Sequence, residues 1–136
     1  MSNIVNGEPK SIYESEAVIK NSENFVGMGL WNIGNELKYI RENKTYQQRG
    51  VQSFEQYVEE CLDYSRSSAY NYISIAENYN VQAIGQIGHL GLTKLAALAR
   101  LPEPERNDVI SSVHEVNGEM KTIDIMSTRE VQQLIR

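Results

Sequence analysis

In the stretch SRSSAYN, residues 65–71, one arginine, three serines, a tyrosine and an asparagine fall within two helical turns. Such side chains offer hydrogen-bond donors and acceptors rather than a nucleophile set against a base. Arg66 carries the planar fork that matches O6 and N7 of guanine, and the Asn71 carboxamide matches N6 and N7 of adenine. Ser67 and Ser68 suit phosphates or base edges, and Ser65 is placed to cap a helix starting at Arg66. Tyr64 and Tyr70 have two readings: phenols that touch a phosphate or a thymine methyl, or buried rings whose hydroxyls are satisfied within the protein. Upstream, KYIRENKTYQQR gathers Lys38, Arg41, Lys44 and Arg49 against one acid, Glu42. Lys44 and Arg49 are expected to contact a phosphate backbone and fix register.

Other reactive chemistry is sparse. His89 and His114 are the only histidines, and they fall on separate expected elements without cysteine partners at zinc spacing. Cys61 is the single cysteine, which excludes an internal disulfide, and beside Val58 and Leu62 it reads as a small core residue. No GKS or GKT loop is present to hold a nucleotide, and the spacings GQIG and GHLG read as turns. One thiol and two imidazoles supply no convincing nucleophile and base pair, and the adjacent Glu59 and Glu60 read as a solvated helix face. A non-enzymatic protein is expected, with no metal and no cofactor.

Residues 65–71 need one helix to carry them and another to brace it. Ser53, followed three residues later by Gln56, has capping-box spacing and predicts a helix from Phe54 to about Leu62. Phe54, Tyr57, Val58, Cys61 and Leu62 share one face of it, leaving Glu55, Glu59 and Glu60 for solvent. Asp63, Tyr64 and Ser65 then break the chain before a second helix, Arg66 to about Tyr79. Ala69, Ile73 and Ala76 form its narrow apolar stripe, suited to a close helix crossing and widened by Tyr72, Ile75 and Tyr79. Its outward face is Ser67, Ser68, Asn71, Ser74 and Asn78, with no acid in the first three turns. This is the layout of a helix-turn-helix whose second helix enters a major groove about 12 Å wide.

Around this unit the pattern is helical. From about Ser11 to Asn43, Ile12, Val18, Ile19, Phe25, Met28, Trp31, Ile33, Leu37 and Ile40 recur at three- and four-residue steps. Gly27, Gly29 and Gly34 interrupt that pattern, so a break or a tight helix contact is expected near Gly27. Phe25, Met28 and Trp31 are expected in the core, the alternative being a ligand pocket or an exposed dimer seam. Downstream, VQAIGQIGHLG reads as a short helix or turn, and LTKLAALARL and PEPERNDVISSVH as helices, the latter with Pro102 and Pro104 near its first turn. Asn117-Gly118 closes either a small β-hairpin or a plain loop. Ser127 or Thr128 caps a last helix, with Val131, Leu134 and Ile135 packing inward.

The fold class expected is all-α: a multi-helix domain with a helix-turn-helix and a single compact core, with a small β-hairpin near the C-terminus if Asn117-Gly118 closes one rather than a loop. The organisation expected is a flexible arm over 1–10, an N-terminal helical segment over 11–50 and the helix-turn-helix core over 51–136. With 40% hydrophobic residues, 9 glycines and 3 prolines among 136 residues, the chain has a folded composition. No apolar run reaches the roughly 20 residues of a membrane span, so a cytoplasmic protein, associated with nucleoid or plasmid, is expected. The net charge of −5 opposes nucleic-acid binding. The basic cluster just before the motif offsets it locally.

From about Phe54 onward the chain resembles the helical DNA-binding core of the ParB and KorB family of plasmid and chromosome partition proteins. SRSSAYNYISIAENY corresponds to its recognition helix, HLGLTKLAALARLPEPERNDVI to the following helix pair and MSTREVQQLIR to the closing helix. The resemblance implies palindrome reading by Arg66, Ser67, Ser68 and Asn71. Residues 1–50 lack the arginine-rich box that precedes this core in family members, so CTP binding and a sliding clamp are not expected. The expected partner is double-stranded DNA, met by a homodimer joined through the helix around Phe25 to Ile40. The alternative is an acidic helical module of a mobile element that binds another protein through Glu55, Glu59 and Glu60.

Overall fold

A helix of 32 residues, α1 (Ile12–Asn43), runs through all three suspect glycines without a break. The computed structural model describes Ile4–Val5, Glu8–Pro9 and residues 12–136, with side chains at Ile12 and from Phe25 onward. Two of the glycines are explained by what lies against them. A Cβ on Gly27 would overlap the backbone of Gly88, and a Cβ on Gly34 would overlap the carbonyl of Tyr72. Backbones at such separations leave no room for a methyl, so glycine's helix cost of about 1 kcal/mol is offset by close packing. Gly29 faces open space.

After a 3-10 turn, Thr45–Arg49, helix α2 (Phe54–Cys61) starts at Ser53, whose Oγ accepts the Gln56 N–H at 3.0 Å. The Gln56 side chain returns to the Gln52 N–H, also at 3.0 Å, one residue earlier than in the usual box. Asp63, at φ 57°, turns the chain, and Ser65 caps α3 (Arg66–Asn78) by accepting the Ser68 N–H at 3.0 Å. Then follow α4 (Val81–Ile87), a 3-10 turn at Gly88–Leu90, α5 (Leu92–Leu98) and α6 (Glu103–Ser111). Asn117 at φ 52° and Gly118 at φ 84° close an antiparallel hairpin of β3 (His114–Val116) and β4 (Glu119–Lys121), as the two positive-φ positions of a type I′ turn allow. A capping box between Ser127 and Glu130 opens α7 (Thr128–Ile135).

The fold is therefore all-α with one small hairpin near the C-terminus. At the other end a second short antiparallel pair, β1 (Ile4–Val5) with β2 (Glu8–Pro9), was not anticipated. The rest of the expected flexible arm over 1–10 lies outside the described residues. Buried side chains fall into two clusters rather than the single core expected. One joins Leu37, Tyr46, Phe54, Val58, Ala69 and Ile73; the other centres on Ile75, Ile84, Leu95, Leu98, Ile123 and Val131. Helix α3 contributes to both. Met28 and Trp31 pack against the second cluster as expected, but Phe25 is 76% exposed and Leu134 36% exposed, so neither belongs to the core. Phe25 precedes the point where Gly27 brings α1 against Gly88. Among the described residues, no helix is long and apolar enough to cross a membrane.

Candidate nucleic-acid interface

Helix α3 is held from behind and along its C-terminal half. Ala69, Ile73 and Ile75 are buried, and the Tyr72 carbonyl and Ala76 abut Gly34 of α1. At the C-terminal end Tyr79 is tied to three elements. Its carbonyl accepts the Trp31 indole N–H at 2.8 Å, its hydroxyl donates to the Leu95 carbonyl at 2.6 Å, and the Arg106 guanidinium lies over its ring at 5.0 Å. Burial pushes the Tyr79 hydroxyl well above the usual tyrosine range, so it stays a neutral donor. Arg106, only 6% exposed, donates to the carbonyls of Asn78, Leu101 and Leu98 at 2.9, 3.0 and 3.3 Å. The carbonyl-rich C-terminal ends of α3 and α5 thus share one buried cation.

The N-terminal end of α3 projects. Ser65, Arg66, Ser67 and Tyr70 are exposed, while Ser68 and Asn71 are half-buried. Ser67, Asn71, Ser74 and Asn78 follow one another at four- and three-residue steps and form one polar stripe. Asn78 donates to the Ser74 carbonyl at 2.8 Å. Among the described residues, Ser67 and Asn71 make no side-chain hydrogen bond. The hydroxyls of Ser65 and Ser68 are 3.0 Å apart.

Two acids read as solvent-facing turn out to engage this end. The three-residue turn lays the last turns of α2 beside the first of α3. Glu59 accepts from Arg66 Nε at 3.1 Å, and Glu55 accepts from the Tyr70 hydroxyl. The phenol's hydrogen bond, with the residue's own backbone N–H, holds the Glu55 carboxyl below the usual carboxylate range. The same bond, with burial, raises Tyr70. Neither of the two readings of Tyr70 describes it fully: the ring is 40% exposed, with its edge against Phe54 at 6.0 Å, and its hydroxyl is satisfied by a neighbouring helix. Tyr64 stacks on Tyr72 at 5.6 Å, both half-buried. Spacing along one helix carries no signal for such pairs; the antiparallel layout of a short-turned hairpin would have.

The upstream basic residues divide. Lys38 and Arg41 both face Glu77 of α3, at 3.8 and 3.6 Å. Lys44, at φ 56°, and Arg49 bracket the turn before α2, and both are exposed. Arg49 lines a shallow groove with Ile40, Gln48 and Tyr57, to which α3 contributes no lining residue. The structure thus gathers Ser65 to Asn71 on one helix end and leaves Lys44 and Arg49 on a separate turn. His89 bonds Asp124 at 2.9 Å and His114 the Val109 carbonyl at 2.8 Å. Compared with known proteins, the chain matches no family model, no curated protein and no solved structure.

Proposed function

We propose that this chain binds double-stranded DNA and reads the major groove with the first two turns of α3. The observation that supports this best is the asymmetry of that helix. Its back and C-terminal end are fixed by buried contacts, while its N-terminal end presents Arg66, Ser67, Tyr70 and Asn71 on short polar or planar side chains. A rigid helix with a projecting polar N-terminus can place an arginine fork and a carboxamide against base edges. In this reading Ser65 and Ser68 serve phosphates at the edge of the groove, and Lys44 and Arg49 add backbone contacts from the turn before α2. The role is that of a plasmid or phage partition, replication or transcription regulator.

The acids on α2 shape this reading. Arg66 must exchange Glu59 for a base or phosphate, so sequence-independent affinity is modest and the matched site contributes most of the binding. The same acids favour a second reading: Glu55, Glu59 and the exposed Glu60 beside the turn form a surface for a basic protein partner. Selection of bound fragments from a random duplex library separates the two. DNA reading predicts one enriched motif, lost when Arg66 and Asn71 are both replaced by alanine. No enrichment at any salt concentration overturns it in favour of the protein partner.

A further inference from the structure

At the projecting end of α3 a carboxylate sits beside the arginine assigned to base reading. Glu59 Oε1 lies 3.1 Å from Arg66 Nε, and both side chains are open to solvent, 49% and 63% exposed. The other acid at this end is committed, because Glu55 accepts from the Tyr70 hydroxyl and from its own backbone N–H. Among the described residues, Glu59 has Arg66 as its one side-chain partner. The separation of the two groups is close to the spacing of about 3.4 Å between stacked base pairs, so where Arg66 meets one pair Glu59 is within reach of the next.

We propose that Glu59 is a specificity-determining residue that accepts from the N4 amine of a cytosine in the base pair next to the guanine met by Arg66. This rests on the reading of α3 as a DNA-recognition helix and adds α2 to the reading surface. When Arg66 exchanges Glu59 for guanine, the freed carboxylate faces the groove, and an acceptor left there without a donor carries a desolvation penalty. Phosphates repel it, and so do N7 and O6 of guanine, N7 of adenine and O4 of thymine. Two groups in the major groove can donate to it, N4 of cytosine and N6 of adenine. The adenine amine stands between two acceptors, its own N7 and the thymine O4, whereas the cytosine amine has an acceptor, guanine O6, on one side only. Arg66 and Asn71 thus select by attraction, and Glu59 selects as much by rejecting every pair that sets an acceptor against its charge.

Random-duplex selection by the full chain at about physiological salt tests it, with wild type, Arg66→Ala, Glu59→Ala and Glu60→Ala run side by side. The wild type enriches a motif in which a cytosine-bearing pair adjoins the guanine that Arg66→Ala ceases to select. Glu59→Ala keeps the rest of the motif and loses the preference at the adjoining pair, where discrimination falls about tenfold. Glu60 is exposed and makes no ion pair among the described residues, so Glu60→Ala removes the same charge from α2 and leaves the motif unaltered. That comparison separates base reading from a general electrostatic effect, which would raise affinity for all duplexes alike. A wild-type motif without cytosine at that pair, a cytosine preference that survives Glu59→Ala, or equal relaxation by Glu60→Ala overturns the proposal and leaves reading by α3 standing. No enrichment by the wild type overturns both.

Discussion

Arg66 meets the world already paired. Its Nε lies 3.1 Å from Glu59, and both side chains are about half exposed, so the pair is worth little to folding but lowers the positive potential at the start of α3. Glu59→Gln is therefore expected to strengthen duplex binding several-fold at low salt and to steepen its salt dependence, with thermal stability nearly unchanged. Titration of a fluorescent duplex at several salt concentrations measures both effects. Glu55 gives a pH signature. Its carboxyl is held below the ordinary value of 4.5 chiefly by the Tyr70 hydroxyl, so this contact helps the folded state above that value and fades as pH falls through the lowered one. Tyr70→Phe should move the Glu55 titration, followed by carboxyl-carbon NMR, upward toward 4.5. A Glu55 midpoint unaltered by the substitution contradicts the assigned bond.

At the scale of elements, the crossing of α1 over α3 is set by Gly34. A Cβ there would overlap the Tyr72 carbonyl and crowd Ala76, both parts of a packed helix that cannot yield by a rotamer change. Gly34→Ala is expected to destabilise by about 3 kcal/mol or more. Gly85→Ala, on α4 with nothing within 4 Å, should stabilise by up to about 1 kcal/mol. Chemical denaturation of the two variants decides, and equal effects would refute the close crossing. Much of this level was legible in the sequence because its signals are local: the caps at Ser53, Ser65 and Ser127, the three-residue turn and the Asn117-Gly118 hairpin each rest on residues a few positions apart. What a glycine approaches is not local. The sequence could mark Gly27 as anomalous but could not name Gly88, and it could not show that Phe25 stays outside while Trp31, six residues on, reaches Tyr79. The Glu55–Tyr70 and Glu59–Arg66 pairs left no signal in the spacing of either helix alone, and only the antiparallel layout of the short-turned hairpin could have pointed to them.

Across the whole molecule, Arg106 links the parts that hold α3 in place. It carries a buried charge that makes no ion pair among the described residues and is satisfied by carbonyls at and just beyond the ends of α3 and α5. Arg106→Met leaves those carbonyls unpaired and should cost about 2–4 kcal/mol of stability, and Arg106→Lys should recover only part of it because one ammonium cannot reach three carbonyls in fork geometry. Thermal unfolding checks the order wild type, lysine, methionine. With α3 fixed in this way, the central claim concerns its free end. The most direct measurement is the affinity of an Arg66→Ala, Asn71→Ala variant for the selected duplex at physiological salt, compared with Arg100→Ala, which removes an exposed cation from a cleft lined by α5 and α7. Loss of about 1–3 kcal/mol per base contact in the double variant, with Arg100→Ala close to wild type, is the result expected. Equal affinity of the double variant and the wild type would contradict reading by α3.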